Sequence, residues 1–250
     1  MASDYIFGIR AVIEAIEAGK EIDKLFVSND LRGDLVQDML KRARQAGVVV
    51  QKVPMDRINR ITRKNHQGVV ALMSAVTYYS LDNLVPQLYE EGLLPFMMVL
   101  DSLTDVRNFG AIARTAECAG VDALVIPSHG SVSVGADAVK TSAGALLHIP
   151  VCRERSTLEA VRLLKDNGFK VIGVTEKTDF NYTQISYTDP VALVMGAEDT
   201  GISPAVLRQC DALVSIPMFG KIGSLNVSVA AGVLMYEVVR QRREANLSVD

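Results

Sequence analysis

The apolar positions of this chain switch repeatedly between helical and alternating spacing. Residues 8–19 set Ile9, Val12, Ile13 and Ile16 on one helical stripe, and KLFVS at 24–28 reads as a strand. A second helical stretch over 33–46 stops at Gly47, VVVQKV at 48–53 predicts a strand, 56–61 a short helix and GVVALMSAV at 68–76 a buried strand. This alternation predicts a small α/β/α sandwich at the start of the chain. Residues 77–95, with Pro86, Gly92 and Pro95 around a marginal helix at 81–91, read as a linker. Beyond it, strands are expected at 96–101, 123–127, 148–152, 170–175, 191–196 and 212–217. Helices are expected at 110–119, 136–143, 158–167, 204–209 and 225–243. Strands bounded by helices imply a mostly parallel sheet covered on both faces. The expected division is therefore 1–76, a linker at 77–95, and 96–250, with 245–250 as a frayed tail.

Composition narrows the class. A hydrophobic fraction of 49% supports a sizeable core, but no run approaches the roughly 18 apolar residues of a membrane span. The opening MASDYIFGIR has no basic segment followed by an apolar run, so no secretory signal is expected and the cytoplasm is the expected location. Cys118, Cys152 and Cys210 are far apart and form no C-x-x-C pair, which points to reduced, mostly buried thiols. His66, His129 and His148 fall in separate segments, so no metal site is expected.

The net charge of −3 does not suggest nucleic acid, but its distribution does. Residues 1–76 carry 12 Lys+Arg against 9 Asp+Glu, whereas 77–250 carry 14 against 20. Residues 41–64 hold eight basic side chains opposed only by Asp56. Arg60, Arg63 and Lys64 in this segment are candidate RNA-phosphate contacts, with a solvated helix face as the alternative.

Candidate chemistry sits in three blocks of strand, glycine-bearing loop and helix start. They are LDSLTDVRNFGAIARTAECAG at 100–120, LVMGAEDTGIS at 193–203 and SIPMFGKIGSLNVSVAAGVLMYEVVRQRR at 215–243. Such loops expose backbone amides and carbonyls to a ligand at strand ends. No G-x-G-x-x-G follows a strand and no P-loop is present, which argues against a nicotinamide enzyme and a standard Rossmann methyltransferase loop.

The three blocks together resemble the SpoU (TrmH-like) family of RNA ribose 2′-O-methyltransferases. The resemblance rests on Asn108, Gly110 and Arg114; on Gly196, Glu198 and Gly201; and on Ile216, Pro217, Met218, Ser224, Leu225, Asn226, Val227 and Ser228. FGIRAVIEA at 7–15 and HQGVVA at 66–71 extend it to a substrate-binding domain similar to ribosomal protein L30e. It implies a trefoil-knotted, mostly parallel sheet with helices on both faces. It also implies methyl transfer from S-adenosylmethionine to a ribose 2′-hydroxyl, with a guanosine of large-subunit ribosomal RNA as the foremost target. A transfer-RNA enzyme and a catalytically silent RNA-binding protein are the alternatives. Met195, Gly196, Gly201, Ile216, Met218 and Leu225 are expected at the cofactor, and Asn108, Arg114, Glu198, Ser224 and Asn226 in catalysis.

Within that resemblance, Arg114 serves either as general base or as an electrostatic stabiliser. A guanidinium pKa above about 12 makes stabilisation the physically easier role. Glu198 is expected to accept hydrogen bonds from Arg114 or from the substrate ribose. Either Ser224 or Asn226 caps the last helix; a Ser224 cap leaves Asn226 free to orient the substrate. Gly196 is expected to stay small because the cofactor passes its backbone, so Gly196→Val should reduce cofactor affinity more than folding. The last helix is expected to help form a symmetric homodimer. Asp199–Thr200 replaces the Gly–Glu common in close relatives, and Gly135 stands where some carry asparagine. Both departures bear on target choice more than on chemistry.

Overall fold

Period-2 burial organises the first of two units. A computed structural model describes residues 5–245, so the tail expected at 245–250 lies, apart from Ala245, outside the described residues. The first unit takes described residues up to 77 together with 133–137. Its elements are β1 (Tyr5–Phe7), α1 (Ile9–Glu17), β2 (Ile22–Ser28), α2 (Asp34–Gln45), β3 (Val50–Val53), α3 (Met55–Ile61) and β4 (Val69–Met73). The sheet order is β1-β4-β2-β3, with β2 and β3 parallel and the other pairs antiparallel. Leu25 and Val27 of β2, with Val69 and Ala71 of β4, join Val12 of α1 and Met39 of α2 in one core. The alternate residues Phe26 and Val70 pack with Val53 and with Ile58 of α3 in another. Slipping either strand by one residue would exchange these faces, so burial itself fixes the register. β1 escapes sequence reading because three half-buried residues are too few to display a period. β4 ends at Met73 rather than at 76, where the Ser74 hydroxyl donates to the Val76 carbonyl and accepts from the Val76 amide.

The second unit takes 78–132 and described residues from 138 onward. It contains β5 (Tyr78–Tyr79), α4 (Leu81–Glu90), β6 (Phe96–Asp101), α5 (Val106–Cys118), β7 (Ala123–Pro127), β8 (Val151–Glu154) and α7 (Thr157–Asp166), with α6 (Ala136–Thr141) lying across its boundary. β9 (Lys170–Val174), β10 (Val191–Gly196), α8 (Pro204–Leu207), β11 (Ala212–Val214) and α9 (Val227–Glu244) follow. The sheet runs β11-β9-β10-β6-β7-β8-β5, and every pair is parallel. From β6 the chain steps outward to β7 and β8, then returns to build β9 and β10 on the other side. The β6–β10 boundary is thus the switch point beside which ligands of open parallel sheets bind.

Three expectations are corrected here. The supposed linker is packed structure: β5 pairs with β8, and Leu81, Leu84, Val85 and Leu88 of α4 enter the core of the second unit. The helix expected at 81–91 is present as α4, with Pro86 inside it, but it is part of the core rather than of a linker. Helix α5 begins four residues before the expected start at 110, capped by Asp105, whose Oδ1 accepts from the amides of Arg107 and Asn108 at 2.8 Å each. Asn108 therefore lies in the first turn of a helix and not in a loop. Strand β8 starts at Val151 instead of 148, since Ala145–Leu147 turns as a 3-10 helix.

Candidate active site

Parallel strands deliver their carboxyl ends to one edge, and the candidate site forms there. A cavity of about 590 Å³ is lined by the ends of β9 and β10 and by the segments that follow β10 and β11. Of the residues expected at the cofactor, Met195, Gly196, Gly201, Ile216, Met218 and Leu225 all line it. Glu198, Ser224 and Asn226 line it too. Sequence reading missed Val174, Thr175, Glu176 and Lys177, which reach the cavity from the end of β9. Their only sequence signal is a polar T-E-K immediately after an apolar strand.

The turn after β10 is closed by its own backbone. The Gly201 amide donates to the Ala197 carbonyl at 2.8 Å, and Gly201 adopts φ +66°, a conformation that suits glycine. The turn folds back so tightly that a Cβ on Gly196 would lie 2.0 Å from the Gly201 carbonyl carbon and 2.1 Å from the Ile202 nitrogen. Gly196 must therefore stay small for the sake of its own loop, a requirement that holds with or without a cofactor passing its backbone. Gly223 behaves differently: it lines the cavity, and a Cβ there meets no protein atom within 4 Å. Space beside the backbone is open at Gly223, and filled by protein at Gly196.

Asp101, the last residue of β6, supports the turn from beneath. It is buried, it pairs with Gly196 in the parallel register, and its Oδ2 accepts from the Ser203 amide at 2.8 Å. Asp101→Ala would strip a buried amide of its partner, a loss of about 1–3 kcal/mol. The expected result is a melting temperature lower by roughly 2–12 °C, read by thermal denaturation. An unchanged melting temperature would remove Asp101 from this role.

The three motifs converge on Asn226. Its Nδ2 donates to Asn108 Oδ1 at 3.0 Å and to Glu198 Oε1 at 2.8 Å. Its Oδ1 caps α9, accepting from the Ser228 and Val229 amides and from the Ser228 hydroxyl at 2.6 Å. A primary amide has two donor hydrogens, and both are engaged. Asn226, not Ser224, is thus the cap, and it has no donor left for a substrate. Its work is to hold Asn108 and Glu198 together. Glu198 is exposed and has a second carboxylate oxygen beyond the one that Asn226 occupies.

Arg114 stands apart. It is exposed on α5, does not line the cavity, and has no hydrogen-bond or ion-pair partner among the described residues. Of the two donors expected for Glu198, Arg114 does not reach it within the chain; Asn226 occupies one carboxylate oxygen, and the substrate ribose remains the other expected donor. Gly110, between Asn108 and Arg114 in the motif, serves packing: a Cβ there would lie 2.2 Å from Thr141 Oγ1.

In the first unit, Arg60 and Arg63 line a separate surface cavity of about 540 Å³ with Asp56 and Asn59. Lys64 lies 5.7 Å from the centre of the Phe7 ring. Burial pushes the Cys152 thiol up to about 12, with Glu154 adding to the shift, and raises Cys210 to about 11. Both stay protonated at neutral pH, as inert structural thiols do. Among the described residues, no group of three His, Cys, Asp or Glu side chains could hold a metal ion.

A seven-stranded parallel sheet with a concave, partly apolar cavity at its carboxyl edge and a hydrogen-bonded carboxylate–amide cluster at the rim defines an α/β enzyme with a nucleotide-like ligand site. Residues 95–236 match the SpoU rRNA Methylase family, and 5–79 match the family described as RNA 2′-O ribose methyltransferase substrate binding. The chain belongs to the SpoU methylase family of RNA methyltransferases. It is 36% identical over 239 residues to the putative TrmH family tRNA/rRNA methyltransferase YacO of Bacillus subtilis, covering 96% of each chain. Among solved structures, the AdoMet-bound rRNA methyltransferase of Sinorhizobium meliloti is similar, with a TM-score of 0.60 and 28% identity, covering 96% of this chain and 87% of that one. The SpoU methyltransferase AviRb of Streptomyces viridochromogenes, in complex with AdoMet, has a TM-score of 0.60 and 26% identity, with 96% and 90% covered.

Proposed function

We propose that the protein transfers a methyl group from S-adenosylmethionine to a ribose 2′-hydroxyl of RNA, with a guanosine of large-subunit ribosomal RNA as the target. The observation that carries this reading is the Asn108–Asn226–Glu198 cluster, in which all three motifs meet at the mouth of one cavity. When bound, S-adenosylmethionine supplies a methyl group already activated on a sulfonium sulfur. The residues present fit that group. Ile216, Leu225 and Met195 offer apolar walls, the segments around Gly196 and Gly223 offer backbone groups, and Glu176, Glu198 and Asp199 offer negative charge to a cationic ligand.

The chain's own contribution is positional and electrostatic. Glu198, held by Asn226, is placed to accept a hydrogen bond from the ribose. Arg114 stabilises the charge that develops at the 2′-oxygen and binds a neighbouring phosphate. Its absence from the lining of its own cavity supports a symmetric homodimer in which each RNA site draws on both copies. Val229 and Tyr236, exposed one heptad apart on α9, support the same assembly. The trefoil knot and the L30e-like character of the first unit complete the family reading. Arg242, buried in α9, donates to the carbonyls of Leu94, Pro95, Tyr187 and Asp189, and this tie of the last helix to two earlier segments supports the threaded path. No helix among the described residues is long and apolar enough to cross a membrane. A ribosomal RNA substrate goes with a cytoplasmic location.

Incubation with tritiated S-adenosylmethionine and RNA from a strain lacking the gene tests the assignment. Label confined to the 23S fraction is expected; label confined to transfer RNA would make the protein a tRNA enzyme. In the same assay, replacing Arg60, Arg63 and Lys64 with Ala should weaken RNA binding and reduce the slope of log affinity against log salt by roughly 0.7–0.9 for each phosphate no longer neutralised. An unchanged slope would leave the α3 segment as a solvated face.

A further inference from the structure

The mouth of the cavity has a rim that extends past the residues assigned to the cofactor. Between β11 and α9, Phe219 is 97% exposed and Ile222 79% exposed, with Lys221 between them. Met218 and Leu225, also exposed, border the same segment and line the cavity. A second exposed aromatic, Phe180, is fastened beside the start of this segment: its carbonyl accepts from the Ser215 amide at 2.8 Å, and Asn181 bridges Ser215. Lys177 joins the rim from the end of β9. Neither Lys177 nor Lys221 has an ion-pair partner among the described residues. The rim therefore sets exposed apolar and aromatic side chains beside the cations Lys177 and Lys221, with the acidic Glu176, Glu198 and Asp199 lining the cavity. Packing does not account for it, because a fully exposed phenylalanine buries nothing in the fold.

We infer that this rim is a stacking platform for unpaired nucleobases that flank the target ribose, with Phe219 as its central surface and Lys177 and Lys221 on the adjoining phosphates. The inference rests on the methyl-transfer reading above. If the methyl donor sits in the cavity, the acceptor ribose must come to its mouth, and the neighbouring nucleotides must lie on whatever surrounds that mouth. Aromatic side chains interleaved with cations recognise single-stranded RNA, whose bases are free to stack. A duplex hides its base faces and would meet Phe219 with sugar and phosphate instead. The substrate class that follows is a loop, bulge or other unpaired segment.

The test compares Phe219→Ala, Phe219→Tyr and Lys221→Met with the wild-type protein. Probes are tritiated S-adenosylmethionine and ribosomal RNA from the gene-deleted strain. Phe219→Ala should lower the rate at subsaturating RNA by roughly tenfold, leave calorimetric affinity for S-adenosylmethionine unchanged, and leave the sedimentation coefficient unchanged. Phe219→Tyr keeps the ring and should restore the rate to within about twofold of wild type. Lys221→Met should reduce the salt slope of RNA binding by about 0.7, the single-strand value for one phosphate. Weaker cofactor binding in Phe219→Ala would make the segment a cofactor lid, and a smaller sedimentation coefficient would make it a dimer contact; either overturns the inference. So would an unchanged rate at subsaturating RNA, or wild-type methylation mapped within a perfect duplex. Failure of the wild-type protein to label RNA at all would instead overturn the methyl-transfer reading.

Discussion

Arg114→Ala is expected to slow methyl transfer by roughly 10²–10³-fold while affinity for S-adenosylmethionine stays within a few-fold. The two quantities should separate because Arg114 is not among the residues that line the cavity. Arg114→Lys tests how the residue acts. A guanidinium that works by charge should be partly replaced by an ammonium, whereas bidentate phosphate recognition would not be. The proposed dimer yields a further readout. Mixed with Gly223→Val, which keeps Arg114 but fills the cavity, Arg114→Ala should recover activity through heterodimers that hold one intact cavity opposite one intact arginine. Steady-state rates of the two variants and of their mixture check this. Activity of Arg114→Ala within a few-fold of wild type would remove it from catalysis.

Gly196→Val is expected to destabilise the fold itself. The first atom of the new side chain would meet the Gly201 and Ile202 backbone at about 2 Å, where no rotamer can relieve the overlap. Overpacking of this kind costs about 3 kcal/mol or more, a fall of roughly 6–12 °C in melting temperature for a chain of this size. The cofactor test moves to Gly223→Val, at a cavity-lining position where a Cβ meets no protein atom within 4 Å. That variant should melt within about 2 °C of wild type and bind S-adenosylmethionine at least tenfold more weakly. Differential scanning calorimetry and titration calorimetry on both variants read the contrast. The reverse pattern would return Gly196 to the ligand and Gly223 to the loop.

How far these residues were legible in sequence depends on the length scale of the signal. β6, β7 and β10 are five or six consecutive buried residues, and their bounds follow directly from apolar runs. The approach of the motifs at the cavity edge was legible as spacing along the chain, because parallel strands must release their loops on one side. Hydrogen-bond partners were not. That Asn226 is saturated by Asn108, Glu198, Ser228 and Val229 depends on side chains as far as 118 positions apart. The glycine in the second motif had a visible need for smallness but no visible cause, since a ligand and a returning backbone ask the same of one residue. α4 was legible as a helix at 81–91, but Pro86 inside it made that helix read as marginal and its stretch as a linker, while burial of four leucine and valine side chains makes it part of the core. The end of β9 was missed because Thr175, Glu176 and Lys177 resemble any polar loop until the sheet places them beside β10.

Where the methyl group goes can be read directly from the chemistry of RNA. A methyl on a ribose 2′-oxygen removes the nucleophile by which alkali cleaves the adjacent phosphodiester, whereas a methyl on a base leaves it in place. RNA labelled by the wild-type protein from tritiated S-adenosylmethionine should therefore be hydrolysed in alkali and the products separated. The label is expected in alkali-resistant dinucleotides. Recovery in mononucleotides would mean a base methyltransferase and would contradict ribose methylation.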